Sequence, residues 1–152
     1  MAARVIALGQ PAQGDDGVGP RVLEQLASAP PAGVELVHAG DASRLVELLP
    51  GAELVVLVDA ALGLEPAGTV REVEEAELGA GKIRPLSSHG LGVRDAIELA
   101  RALADGPLPR IRIVAVGIEA PLAPGHGLSP AVRAAVPVAA RAVLRALGSE
   151  VE

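Results

Sequence analysis

Hydrophobic residues along the chain fall into two patterns, short continuous runs and stripes with helical spacing. A continuous run predicts a strand that is covered on both faces, because such a strand has no polar side. Apolar residues three or four positions apart predict an amphipathic helix. Strands are predicted at 4–8, 34–39, 54–58, 69–74 and 111–116, and helices at 18–27, 43–49, 91–103 and from Ser129-Pro130 onward.

The order of these elements is β-α-β-α-β-β-α-β-α. Alternation of this kind predicts a single α/β domain over residues 1–152, with a largely parallel sheet and helices on both faces. The run at 54–58 is the most apolar and is expected at the centre of the sheet, whereas 69–74 alternates and is expected at an edge. Pro137 lies inside the last predicted helix and is expected to kink it or to split off its first turns.

Composition narrows the functional classes. Thirteen basic and nineteen acidic residues give a net charge of −6, which argues against nucleic acid or an anionic membrane as partner. The chain has no cysteine, which excludes disulfides and thiolate sites and is compatible with the cytoplasm. No apolar run approaches the roughly 20 residues of a membrane span, and no signal-peptide layout is present. Phe, Tyr and Trp are absent, so bases or flavins cannot stack on aromatic side chains.

Three residues with useful chemistry are predicted to lie near the carboxyl ends of strands. Asp16 belongs to the turn Gly14-Asp15-Asp16-Gly17 after the first strand, Asp59 follows the central run, and His89 precedes the helix at 91–103. Open α/β sheets bind ligands at this edge. Two carboxylates and an imidazole suit a transition metal, so the three residues are a candidate metal and catalytic site.

Each of these residues also has a structural interpretation. Asp16 can cap the following helix, Asp59 can accept backbone N–H groups of a loop, and His89 can cap its helix or lie in solvent. Asp15 and Asp16 together are an alternative acid–base pair, although neighbouring side chains usually point apart.

Other kinds of site fit the sequence less well. A Ser-His-Asp hydrolase using Ser87 or Ser88 lacks the G-x-S-x-G turn, and a phosphate site lacks both the Walker and the G-x-G-x-x-G patterns. His38 falls in a strand and is interpreted as structural, whereas no role is assigned to His126.

Taken in order, the motifs resemble those of the hydrogenase maturation endopeptidases, which process the large subunit of nickel-iron hydrogenases. The resemblance covers nearly the whole chain. It rests on Ile6-Ala7-Leu8-Gly9, Gly14-Asp15-Asp16-Gly17-Val18-Gly19, Val58-Asp59-Ala60, Ser88-His89-Gly90-Leu91-Gly92, Val116-Gly117-Ile118-Glu119 and Gly127-Leu128-Ser129-Pro130.

The resemblance implies a twisted, mainly parallel five-stranded sheet between two helix layers. It also implies a protease that recognises nickel already inserted in the hydrogenase precursor and then removes a C-terminal peptide. The family's nickel-contacting residues correspond to Asp16, where many members have glutamate, Asp59 and His89. Nickel would therefore arrive with the protein substrate rather than reside in the enzyme.

The sequence departs from the family at Gln10, where asparagine is usual, and in lacking aromatic residues. A nickel-binding or chaperone-like relative without catalytic activity is the alternative function.

Overall fold

The computed structural model of the chain describes residues 2–78, 82–86, 91–119 and 127–151. Ten strands and helices are assigned within these residues. In order they are β1 (Ala3–Leu8), α1 (Val18–Ser28), β2 (Val34–Gly40), α2 (Leu45–Leu48), β3 (Leu54–Leu62), β4 (Val70–Val73), β5 (Arg84–Pro85), α3 (Val93–Leu103), β6 (Arg110–Gly117) and α4 (Pro130–Val151), with 3-10 helices at Gly14–Gly17, Ala42–Arg44 and Glu75–Glu77.

The main sheet has the strand order β2-β1-β3-β6-β4. The first four of these strands run parallel, and β4 is an antiparallel edge strand beside β6. The predicted mainly parallel five-stranded sheet is therefore confirmed, with β3 near its centre. The two-residue β5 adds a sixth strand, antiparallel to the end of β3, in a segment where no strand was predicted.

Helices cover both faces of the sheet, as predicted. Along β3, Val56 and Val58 belong to the core that includes buried residues of α1 and α4. The alternate residues Val55 and Leu57 belong to a second core with buried residues of α2 and α3. Because successive side chains of a strand point to opposite faces, one apolar strand holds both helix layers.

The predicted helical stripes are confirmed for α1 and only in part for α3. Val93, Ile97 and Ala100 of α3 are buried, whereas Leu99 is 40% exposed and Leu103 is 64% exposed. Leu99 follows Ile97 by two positions, which places it off the buried face of a helix with 3.6 residues per turn. Leu103 is the last residue of α3, where the helix ends.

Pro137 does not split the last helix, contrary to one of the two expected outcomes. Helix α4 runs continuously from Pro130 to Val151 through this residue. Val136, Ala139 and Ala140 are buried in the core around the proline, and this packing offsets the loss of the hydrogen bond that proline cannot donate.

Within the described residues, no helix combines the length and apolarity needed to cross a membrane.

The chain leaves the neighbouring strands β1 and β3 toward opposite sides of the sheet. From β1 the chain passes through α1 to β2 on one side, whereas from β3 it passes through α3 to β6 on the other side. Helices α1 and α3 also lie on opposite faces. In sheets of this kind the crevice at the carboxyl ends of the two diverging strands is the usual ligand site.

Candidate functional site

The turn at Gly9 brings the acidic segment back onto the end of β1. Gly9 has a φ of +119°, which L-residues rarely adopt. A Cβ atom at this position would lie 2.1 Å from the carbonyl oxygen of Asp16. The 3-10 helix Gly14–Gly17 can therefore fold over Gly9 only because residue 9 has no side chain.

Asp16 is buried in this turn, with 3% of its surface exposed. Its Oδ2 atom accepts the backbone N–H of Gln10 at 2.9 Å. The N-cap of α1 is Gly17 rather than Asp16. The described contact therefore ties Asp16 to the loop that precedes it, rather than to the helix that it was expected to cap.

The neighbouring carboxylate of Asp15 has a different partner. Its Oδ1 accepts the N–H of Ser129 at 2.7 Å and its Oδ2 accepts the hydroxyl of Ser129 at 2.9 Å. Ser129 directly precedes α4, and its carbonyl accepts the N–H of Arg133 at 2.8 Å. Because Asp15 and Asp16 bond to separate segments, the geometry disfavours their use as one acid–base pair.

Asp59 lies within β3 and not at its end, which corrects the predicted strand boundary at Val58. The strand continues to Leu62, because β6 pairs with it as far as Ala61 and β5 pairs with Ala61 and Leu62. Asp59 is 3% exposed. A sequence pattern that ends at the first charged residue cannot reveal this extension, since the additional pairing comes from distant segments.

Asp16 and Asp59 lie at the same edge of the sheet. The last registered pair between β1 and β3 is Ala7 with Val58, so Asp59 is the first β3 residue beyond that pairing. The chain leaves β1 beside it at Gly9, where Asp16 is packed. The two aspartates therefore flank the crevice at which the connections diverge.

The start of α1 closes one side of this crevice. A Cβ atom at Gly19 would lie 2.3 Å from the carbonyl oxygen of Leu8 and 3.1 Å from that of Val58. Glycine thus allows the helix to approach the ends of both strands. The side chain of Asp59 lies on the opposite face of β3 from Val58. It shares the face of Leu57, which packs in the core with α2 and α3.

The predicted histidine lies outside the described residues. His89, together with Ser87, Ser88 and His126, belongs to segments that the structure does not describe. In the ranges that it does describe, there is no group of three His, Cys, Asp or Glu residues placed to hold a metal ion. The three-residue metal site therefore stays a prediction, with two of its members located.

Sequence reasoning missed the contact that His38 makes with this region. His38 lies in β2, and its Nε2 atom is 2.8 Å from the carbonyl oxygen of Gly9. It had been interpreted only as a structural residue of a strand. A histidine near the carboxyl end of a strand is a weak signal, because the sequence does not indicate which neighbour it reaches.

The sequence model of one protein family matches residues 20–146, and its description is hydrogenase maturation protease. The chain belongs to the hydrogenase maturation protease family. The family and the enzyme class predicted from the motifs are thereby confirmed. The match begins after the acidic turn and does not include Asp16.

Solved structures of maturation proteases have the same fold. The hydrogenase maturating endopeptidase HybD from E. coli is 25% identical, with a TM-score of 0.80 over 99% of this chain and 94% of that chain. The [NiFe] hydrogenase maturation protease HybD from Thermococcus kodakarensis is 25% identical, with a TM-score of 0.74 over 95% and 98%. An Escherichia coli endopeptidase solved in solution is 26% identical, with a TM-score of 0.80 over 99% and 94%. No curated protein matches the chain in sequence.

Proposed function

We propose that this maturation protease recognises nickel in the precursor of a nickel-iron hydrogenase large subunit and then removes the precursor's C-terminal peptide. One observation carries the proposal: two aspartates, each 3% exposed, flank one crevice at the carboxyl edge of the sheet. Membership in the maturation protease family supports the substrate class. One structural relative is described as a [NiFe] hydrogenase maturation protease.

The burial of these carboxylates favours a functional role over a purely structural one. Moving a carboxylate out of water costs several kcal/mol before its partners offset the cost. Asp59 interrupts an otherwise apolar central strand, where an aliphatic residue would pack without that cost. Sites that break a packing rule in this way are frequently functional.

The chemistry of the residues supports nickel as the recognised group. Carboxylate oxygens and imidazole nitrogens are suitable ligands for nickel. Asp16 and Asp59 supply carboxylates from two segments, and His89 precedes the first residue of α3, Val93, by four positions. Asp59 belongs to the sheet face that α3 covers. Nickel enters as part of the substrate.

Docking of nickel would place the scissile peptide bond beside the two aspartates. One carboxylate then accepts a proton from a water molecule whose oxygen attacks the peptide carbonyl carbon. The C–N bond breaks, and the proton passes to the leaving amine. Substrate that lacks nickel would not be held in this geometry, which makes cleavage conditional on metal insertion.

Replacement of the site residues tests the proposal. Asp16→Asn, Asp59→Asn and His89→Ala are expected to lower cleavage of nickel-loaded precursor by at least about 100-fold, the scale of lost acid–base catalysis. Asp95→Asn is the matched control, because Asp95 is an exposed acid in the first turn of α3. Thermal unfolding of each variant should stay near that of the unmodified protein.

Two results would overturn the proposal. One is cleavage by Asp59→Asn at the rate of Asp95→Asn. The other is tight nickel binding by the isolated protein without cleavage of any precursor, which would favour the alternative of a binding module.

A further inference from the structure

His38 contacts the turn that carries Asp16 from the neighbouring strand. In the pairing of β1 with β2, Ala7 is opposite His38 and Leu8 is opposite Gly40, so Ala39 is an extra residue in β2. This irregularity accompanies the approach of the imidazole to the end of β1. Nε2 of His38 lies 2.8 Å from the carbonyl oxygen of Gly9, and a carbonyl accepts only, so Nε2 carries the proton.

The carbonyl of Gly9 and the N–H of Gln10 belong to one peptide group. Its oxygen accepts from His38, and its N–H donates to Oδ2 of Asp16 at 2.9 Å. A peptide group is planar, so a contact that fixes the direction of the oxygen also fixes the direction of the N–H. Hydrogen bonds in such a chain also polarise and strengthen one another.

Two further contacts hold the turn around this peptide group. The N–H of Gly9 donates to the carbonyl of Gly40 at 2.9 Å, which ties the turn to β2. Oδ1 of Asp16 lies 3.2 Å from the position that a Cβ atom of Gly9 would occupy, so the carboxylate is packed directly against the turn. The orientation of the Asp16 carboxylate therefore depends on the orientation of the Gly9–Gln10 peptide.

We propose that His38 is a positioning residue for Asp16, acting through the peptide group between Gly9 and Gln10. This inference rests on the proposed function, because it assigns Asp16 to substrate recognition. In this role the exposed side chain of His38 acts through the peptide group and not on the substrate itself. It holds the peptide whose N–H fixes the Asp16 carboxylate in the direction required for docking of the substrate's nickel.

Variants of His38 in the full-length protein separate this role from general support of the fold. His38→Leu removes the donor, whereas His38→Gln places an amide N–H donor near the position of Nε2. Loss of a residue that orients a metal-binding group typically costs 10- to 100-fold in affinity or activity. His38→Leu is therefore expected to lower kcat/KM on nickel-loaded precursor by about 10- to 100-fold, and His38→Gln to recover most of it.

Glu35→Gln is the matched control, because Glu35 lies on the same strand but at its other end, paired with Arg4. It should cleave at the rate of the unmodified protein. Equal cleavage by His38→Leu and the control would overturn the inference. So would equal losses in His38→Leu and His38→Gln, which would indicate a packing role for the imidazole.

NMR of the Gln10 amide proton in the substrate-free protein tests the inference independently of the proposed function. In His38→Leu its resonance should shift upfield and its exchange with solvent should accelerate, and His38→Gln should restore both. An unchanged Gln10 amide in His38→Leu would contradict the inference. If no precursor were cleaved by any form of the protein, the proposed function would fail while the amide measurement still decided the role of His38.

Discussion

The two ends of the same sheet use charge in different ways. At the amino end, Arg4 of β1 donates to the carbonyl oxygens of Leu48 at 2.6 Å and Pro50 at 3.1 Å, and it pairs with Glu35. The guanidinium thereby completes the hydrogen bonds at the end of α2. At the carboxyl end, Asp16 is buried and Asp15 half-buried in a glycine-rich turn, and their described donors are backbone amides and one hydroxyl.

This difference predicts that only substitutions at the carboxyl end change cleavage by the folded protein. Charges at the amino end satisfy main-chain groups and neutralise one another, so their loss should weaken the fold and leave catalysis intact. At the carboxyl end the geometry depends on Gly9 and on hydrogen bonds that hold the carboxylates of Asp15 and Asp16. Changes there should affect cleavage even when the protein remains folded.

The largest effect on stability is expected from Gly9→Ala. The new methyl group would lie 2.1 Å from the carbonyl oxygen of Asp16, in a backbone conformation with a φ of +119°. Strain at such a position and the clash together should lower the free energy of unfolding by about 3 kcal/mol. Denaturant unfolding measures the loss, and cleavage by the remaining folded protein should also fall.

Gly106→Ala is the matched control, because a Cβ atom at Gly106 would meet nothing within 4 Å. Its stability should change by less than about 0.5 kcal/mol or rise slightly, since alanine restricts the unfolded chain. Similar losses in Gly9→Ala and Gly106→Ala would contradict the account of the turn.

A smaller loss is expected from Arg4→Met at the amino end. Methionine keeps the aliphatic packing but removes hydrogen bonds to two carbonyl oxygens, which should cost about 2 kcal/mol of unfolding free energy. Cleavage of precursor per folded molecule should match that of the unmodified protein. A drop in cleavage without a drop in stability would show that the two ends are not separate in function.

The smallest effect concerns the contact between Asp15 and Ser129, which joins the acidic turn to the start of α4. Asp15→Ala, Ser129→Ala and the double variant form a thermodynamic cycle. The cycle measures the bond from the Ser129 hydroxyl to Oδ2, because Ser129→Ala keeps the N–H that donates to Oδ1. The coupling free energy is expected to be about 1 kcal/mol, since this half-buried bond has a charged acceptor. Additive losses would contradict a direct contribution of the hydroxyl bond to stability.

Much of the fold follows from the periodicity of the sequence. The continuous run at 54–58 indicates a central strand, and the spacing of Val18, Val22 and Leu26 indicates the buried face of α1. The extension of β3 past Asp59 and the two-residue β5 do not follow, because both depend on pairing between distant segments. Leu103 is apolar and yet 64% exposed, which hydrophobicity alone cannot indicate.

The sequence indicates which residues form the candidate site better than it indicates how they are arranged. Asp16 and Asp59 stand out because acids follow apolar strands, and the alternating topology places both at one edge. Their adjacency depends on the strand order, which puts β1 next to β3. The separate partners of Asp15 and Asp16, and the contact of His38 with Gly9, arise from the tertiary fold and leave no sequence pattern.

Cleavage of nickel-loaded and nickel-free precursor under the same conditions tests the central claim most directly. Our account predicts removal of the C-terminal peptide from the loaded precursor and an intact nickel-free precursor. The reason is that the substrate docks in the crevice of Asp16 and Asp59 through its bound nickel. Mass spectrometry of the large subunit reads the outcome. Equal cleavage of both forms, or cleavage of neither, would contradict the claim that this protease recognises nickel.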